Sequence, residues 1–462
     1  MASSCSPYPS PTVRMVALIL RLFQLIDPYH HRAPIQVQAW LSTGQLDNPS
    51  PSQKGILPLT DSRQGTVVRA FLTSWLGWIR LGYQIVRAIP AAGWQAMPRR
   101  LMLLLPAWCL FGLLNTLHWI GFVLDEIFFR GYRDLTVQRP IHVVGVPRSG
   151  TTHLHRILAH DRAFTSFTLI ECVLAPSITE KYLWLGPARL LRKIWPLRAT
   201  GRTKDNGGLL PGMASIHKIG LNEPEEDFVI LLWVHACFLT TMCTPADKTL
   251  WALMAFDRDI SINRRNLIMS FYQMCQKKHL YFYGRDRRML SKNPTFTSML
   301  GSLRLWFPDM TLVICVREPE RAVPSQLSSL KPVLNLLGHR QLPTGFQAQM
   351  QSGLRHYYDA INHHMQIAHH RRQSAIVVHM SRLKASLSDT VRDVMKLADQ
   401  PASRALTAAV AEHNEQPYRS SHKYNLIDYD LTEDDIARYF AAVWPLVIPE
   451  DDDVSTGGIA HV

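Results

Sequence analysis

Two short apolar runs stand out along the chain, each bounded by polar, charged or glycine-containing segments. One is Ile141-His-Val-Val-Gly-Val146 and the other is Met310-Thr-Leu-Val-Ile-Cys-Val316. Their length and β-branched content predict buried strands. After the first run come Leu154, Ile157 and Leu158 at helical spacing, so this passage predicts strand, tight loop and helix. A third run, Leu101 to Val123, is of another kind: 23 residues with no acidic or basic side chain except His118. Its length suits a bilayer core of roughly 30 Å, but Pro106, Asn115 and His118 interrupt it, and a buried helix has the same composition. Just upstream, residues 67–97 mix Trp75, Trp78, Tyr83 and Trp94 with Arg69, Arg80 and Arg87, as an amphipathic helix at a membrane interface does. Residues 1–60 are rich in Pro, Ser and Gln and keep no period, which reads as an irregular lead-in. The chain therefore divides into that lead-in, a hydrophobic helical extension (61–135), a main domain (136–448) and an acidic tail (449–462).

The loop after the first run is the most informative stretch. A strand, a glycine-bounded turn and a helix N-terminus together form an anion cradle, because backbone N–H groups and the helix dipole converge there. Gly145 and Gly150 have the spacing of the nucleotide-triphosphate loop G-x-x-x-x-G-K-[ST], yet Thr151 stands where that loop has Lys. The cation has moved inside the loop, to Arg148, and two hydroxyls, Thr151 and Thr152, follow the second glycine. The second run ends in Arg317-Glu318-Pro319, with Ser325 eight positions after Arg317. A guanidinium at a strand end binds phosphate oxygens in bidentate fashion, and a hydroxyl early in the next element can donate to the same group.

The run Pro147-Arg148-Ser149-Gly150-Thr151-Thr152 resembles the 5′-phosphosulfate loop of sulfotransferases that use 3′-phosphoadenosine 5′-phosphosulfate (PAPS). The strand, Arg317 and Ser325 resemble the same family's 3′-phosphate site, with Glu318 where Asp is common. Leu290-Ser-Lys292-Asn-Pro294 and Phe307-Pro308-Asp309 follow the family's order. Near the end, His422-Lys423-Tyr424 and Tyr429-Asp430-Leu431-Thr432 resemble a passage of a bacterial branch, with Asp430 where Gly is usual. The resemblance runs from about Ile141 to about Trp444 and implies a P-loop NTPase-like α/β fold: a parallel sheet with helices on both faces. It also implies PAPS as cosubstrate, without a metal.

Sulfuryl transfer resembles phosphoryl transfer in needing the donor held at both ends, charge on the bridging oxygen neutralised and a proton taken from the acceptor. By the resemblance, Pro147, Arg148, Ser149, Gly150, Thr151 and Thr152 hold the 5′ end, Arg148 also acts in the transfer, and Arg317 and Ser325 fix the 3′-phosphate. Lys292 either donates to the bridging oxygen or caps a helix. Two bases compete: Glu171, in Leu169-Ile-Glu-Cys172, and His217, which opens a passage ending in Pro224-Glu-Glu-Asp227. The acids Glu223, Glu225, Glu226 and Asp227 also read simply as the start of a helix after Pro224.

Composition narrows the partners. A formal net charge of +14 attracts phosphorylated cosubstrates or anionic membranes, but no basic patch has the aromatic interleaving or zinc spacing of a nucleic-acid module. The seven Cys hold no C-x-x-C pair and read as reduced thiols; the His pairs lack metal-protease spacing. Three arrangements fit the apolar extension: cytosolic-face association with a membrane, a single span with the main domain beyond it, or a soluble helical cap. The interval of about 17 residues from Val123 to the first strand and the reduced thiols favour the first. The region Pro176–Pro211 reads as an apolar lid, which points to a lipid or other amphipathic hydroxyl acceptor; a carbohydrate also fits. A small-molecule kinase and an inactive membrane scaffold are the rival functions. The sequence does not speak to oligomeric state.

Overall fold

Strand-length apolar runs separated by helical periods predict a parallel sheet with helical crossovers, and that is what forms. The structure is a computed structural model that describes residues 63–89, 93, 95–185, 187, 223–339, 341–371, 374–415 and 426–444, all within one unit, Thr60–Val462. Helices α1 (Arg63–Ala88) and α2 (Met97–Phe128) come first. They lead to β1 (Ile141–Gly145), α3 (Thr151–Leu158), β2 (Phe164–Thr165) and α4 (Leu169–Leu174). Then follow α5 (Ile262–Tyr283), β3 (Arg288–Lys292), α6 (Leu300–Trp306), β4 (Thr311–Val316), α7 (Pro319–Leu336) and α8 (Phe346–Arg371). The last elements are β5 (Ala375–His379), α9 (Met380–Ala385), α10 (Leu387–Leu397), α11 (Arg404–Glu415) and α12 (Glu433–Phe440).

The sheet has five strands in the order β2-β3-β1-β4-β5, and every pairing is parallel. Strand alternation sends side chains to two separate cores. Val144, Leu312, Ile314 and Val316 join Phe271 and Tyr272 of α5 and Leu354 and Tyr357 of α8. Ile141, Val143, Val313 and Cys315 join Leu154 and Leu158 of α3 with Val391 and Val394 of α10. Helices therefore cover both faces, as a parallel sheet requires. β1 is the switch point of the topology: the chain leaves it toward one edge through β2 and returns to the other side as β4. Ligands of open α/β sheets bind beyond the carboxyl ends of strands at such a point.

The apolar extension is a helical hairpin. Trp78 stacks on Trp108 (centroids 4.4 Å apart, planes at 4°), Ser74 Oγ donates to Asn115 Oδ1 at 2.6 Å, and Phe71 meets Trp119 edge-on. Rising numbers in α1 meet falling numbers in α2, so the helices are antiparallel. Each indole N–H donates to the other tryptophan's carbonyl, at 3.1 and 3.0 Å. Glycines make room: a Cβ on Gly112 would lie 2.7 Å from the Trp78 ring, and one on Gly82 2.6 Å from the Trp108 ring.

Polar side chains fix α2 to the rest of the unit. Arg100 donates to the Leu337 carbonyl at 3.2 Å and meets His339. His118 pairs with Glu180, and the Asp125 carboxylate takes Lys278 Nζ at 2.9 Å and the N–H groups of Ile178 and Thr179. Lys278 and Asp125 are fully buried.

Candidate functional site

The glycine-bounded loop sits at the carboxyl end of β1. Gly145 has φ +129° and packs directly against the backbone of Cys315 in β4, an approach that only a residue without Cβ allows. The Thr297 hydroxyl clips its edge, accepting from Gly145 N at 2.8 Å and donating to Gly145 O at 2.7 Å. Gly150 is left-handed (φ +90°) and opens α3 as its N-cap. A Cβ there would lie 2.6 Å from Leu383 and 2.8 Å from the Met380 sulfur. The Ser149 hydroxyl closes the turn by donating to the Val146 carbonyl at 2.6 Å. The first N–H groups of α3 have no partner within the helix, so this end carries the anion preference that the sequence pattern predicts.

Arg148 is held at φ +67°, a left-handed conformation that costs a non-glycine residue energy and is concentrated at functional sites. Its Nε donates to Ser325 Oγ at 3.2 Å, and Arg317 Nη1 donates to the Arg148 carbonyl at 3.2 Å. Two motifs lying 169 positions apart thus meet in one network. β4 delivers Arg317 at its carboxyl end, and the first turns of α7 deliver Ser325, which is buried. Tyr358 of α8 steadies Arg317 by donating its OH to the Arg317 carbonyl at 2.7 Å.

Lys292, the last residue of β3, completes the cluster. Its Nζ donates to Thr152 Oγ1 at 3.2 Å and to Glu226 Oε1 at 2.9 Å. Arg148 of the loop and Arg317 at the end of β4 therefore share one network, and Lys292 at the end of β3 reaches the start of α3 through Thr152, with Glu226 in direct contact with it. Glu226 is the N-cap of a 3-10 turn, Asp227–Val234. Beneath it, Asp227 bonds to Tyr272, whose OH donates to Ser291 Oγ at 3.1 Å. Burial raises Asp227 to about 7 against the pull of Tyr272 and Ser291, and burial also raises Glu225. On the α3 side, burial and then the Lys292 charge lower His155 to about 3, so it is neutral.

The other residues expected from the sequence lie elsewhere. Glu171 is buried at the first turn of α4, where it closes a capping box with Thr168. Its second oxygen lies 3.8 Å from His279 Nδ1 and 3.9 Å from Lys181 Nζ. Burial favours its neutral form, but His279 and Lys181 outweigh burial and hold the carboxyl below its usual range. Its partners are those of a structural ion cluster, not of the loop. His217, His422 to Tyr424 and most of the expected lid fall outside the described residues. Asp430 has φ +51°, the left-handed shape that the glycine usual at that place would take. Among the described residues no group of three or more His, Cys, Asp or Glu is arranged to hold a metal.

Glu226 is the site residue that sequence reasoning did not single out. The run Glu223 to Asp227 offers four carboxylates, and only the fold shows which one reaches Lys292. Arg156 takes two of the others, Glu223 and Glu225, at 3.0 and 3.5 Å.

Comparison with known proteins bears on the family and the fold. The model of the family described as "Sulfotransferase family" matches residues 140–404. Omega-hydroxy-beta-dihydromenaquinone-9 sulfotransferases of Mycobacterium bovis and Mycobacterium tuberculosis are 27% identical over 208 residues, 44% of this chain and 48% of theirs. The chain thus spans about half the length of these curated relatives. Among solved structures, sulfotransferase STF9 from Mycobacterium avium is similar with a TM-score of 0.52 at 21% identity, over 70% of this chain and 80% of that one. STF1 from Mycobacterium tuberculosis gives 0.50 at 19%, over 70% and 82%. At these identities the structural likeness speaks to the fold.

Proposed function

The chain belongs to the sulfotransferase family, and from that premise we propose that it transfers the sulfuryl group of PAPS to a hydroxyl of an amphipathic, lipid-like acceptor. The observation that carries the reading is the Arg317–Arg148–Ser325 network, which joins the two phosphate-binding motifs across one sheet end. The residues fit a donor with two anionic ends: glycines let the loop pack tightly against Cys315, Met380 and Leu383, and the loop and the neighbouring strand ends carry arginine, lysine and hydroxyl groups. When bound, the donor supplies an activated sulfur–oxygen–phosphorus bridge.

In this reading Ser149, Gly150, Thr151 and Thr152 hold the 5′ end through the α3 N-terminus, with Pro147 shaping the turn and Arg148 neutralising charge. Arg317 and Ser325 hold the 3′-phosphate. Lys292 is placed to donate to the bridging oxygen as charge develops there. The proton of the acceptor goes to Glu226, which touches Lys292; Glu171 is already engaged in its ion cluster, and His217 remains the alternative base. Similarity to relatives named for a hydroxylated dihydromenaquinone supports a lipid-like acceptor, as do the exposed apolar side chains of α1 and α2. The same side chains support association with a membrane, and the cytosolic face is the side that the reduced thiols and the short interval before β1 favour.

The test needs no acceptor. Detergent-purified protein is titrated by calorimetry with 3′-phosphoadenosine 5′-phosphate and with ATP, then as Arg317→Ala. Preferential binding of the bisphosphate, weakened at least tenfold by the substitution, is the expected result. Preference for ATP would move the site to a kinase, and binding of neither would leave the scaffold reading.

A further inference from the structure

We propose that the α1–α2 hairpin lies in the plane of an anionic membrane, with its apolar stripe sunk into one leaflet, and does not cross the bilayer. This rests on the membrane association proposed above and specifies its geometry.

α2 is inverted relative to a helix on a watery surface, where charged and polar residues face out. Its buried face carries Arg100, Asn115, His118 and Asp125. Beyond Arg99 its exposed large side chains are apolar: Met102 is 77% exposed, Leu113 57% and Ile120 52%, and Leu110, Leu117, Val123 and Ile127 continue the stripe. At about 100° per residue, Met102, Cys109, Leu113, Ile120 and Ile127 fall within about 40° of one another. No charged residue lies on the exposed face between Arg99 and Arg130, both of which are exposed. α1 has a stripe of its own in Val68, Leu72, Ile79 and Val86, with Arg69 and Arg87 each one position further along the helix. In both helices the tryptophan seam lies about a quarter-turn from the stripe, and antiparallel packing turns both stripes to the same side. An uncharged strip edged by arginines matches the acyl–headgroup boundary of an anionic leaflet.

The polar anchors rule against a span. Arg100 binds Leu337 at one end of α2, and Asp125 binds Lys278 near the other. That separation is about 38 Å of helix, more than a hydrocarbon core of about 30 Å. The catalytic unit therefore runs along nearly the whole of α2. If α2 crossed a bilayer, the unit would be inside it.

The test measures depth along the stripe. Single nitroxides are placed by Met102→Cys, Leu113→Cys or Ile120→Cys in full-length protein with Cys5, Cys109 and Cys243 replaced by Ser. The protein is bound to phosphatidylcholine–phosphatidylglycerol vesicles, and depth is read by power-saturation electron paramagnetic resonance. The expected result is one shallow depth, about 5–10 Å, at all three positions, with vesicle binding lost at least tenfold in Leu113→Glu/Ile120→Glu. A profile deep at 113 and shallow at 102 and 120 is that of a span; it would overturn the in-plane geometry while leaving membrane association intact. Nitroxides that stay in water would overturn both, and would assign the stripe to a protein partner. None of these outcomes bears on donor binding.

Discussion

β4 and α2 carry almost the same message in hydropathy and opposite messages in structure. In β4 every residue from Thr311 to Val316 is buried, and the apolar side chains face the protein on both sides of the sheet. In α2 the polar residues turn inward and the apolar ones turn out. The difference teaches that an apolar run reports its medium only with its partners in view. β4 has two helical layers to meet it. α2 has one such layer, and on that side it spends Arg100, His118 and Asp125 on ion pairs and hydrogen bonds.

The contrast can be broken by substitution. Gly145→Ala should have the largest effect, because the new Cβ meets the Cys315 carbonyl at a φ of +129°; a loss of about 4 kcal/mol or more should leave little folded protein in a urea titration. Asp125→Ala comes next. It removes the nearer carboxylate of the fully buried Lys278 and leaves it with Glu126 at 3.6 Å; the expected cost of about 3 kcal/mol would show that α2 is fixed from within by charge. Ile314→Ala in β4 should cost about 2–5 kcal/mol. Leu117→Ala, on the outer face of α2, should change stability by about 0.5 kcal/mol or less. If that pair costs the same, α2 is an ordinary core helix and the comparison fails.

A gentler probe is pH. Burial raises Asp227 to about 7, whereas an unfolded Asp titrates near about 4. Between these values the folded state keeps a proton that the unfolded state releases, so this residue's contribution to stability falls as pH rises through that window and is level above it. Asp227→Asn should flatten that part of the slope when urea midpoints at about pH 5 and about pH 7.5 are compared. An unchanged slope would mean that Asp227 is ionised throughout.

Much of the site was readable before the fold because its demands are local. Gly145 and Gly150 answer to the turn itself, while Arg148 sits between them at a φ of +67° that a side chain disfavours; Arg317 and Ser325 follow from a strand end and the helix after it. The sheet was readable for the same reason, from strand-length runs and the helical spacing of Leu154, Ile157 and Leu158. Glu226 was not, since its role depends on which of four neighbouring carboxylates the 3-10 turn aims at Lys292. A signal for another role of Glu171 was also present: Thr168-x-x-Glu171 is the spacing of a capping box, which the structure forms. The orientation of α2 was hidden for a different reason. Helical period identifies two faces, but only the partners of Arg100 and Asp125 say which one meets protein.

The left-handed Arg148 has a consequence for anyone improving this protein by screening for thermal stability. At φ +67° glycine is the comfortable residue, and relieving the strain is worth on the order of 1 kcal/mol. A library at position 148 sorted on melting temperature should therefore enrich glycine and, with it, discard the cation of the loop. If Arg148 holds the donor as proposed, stability and donor affinity would be selected in opposite directions at a single codon.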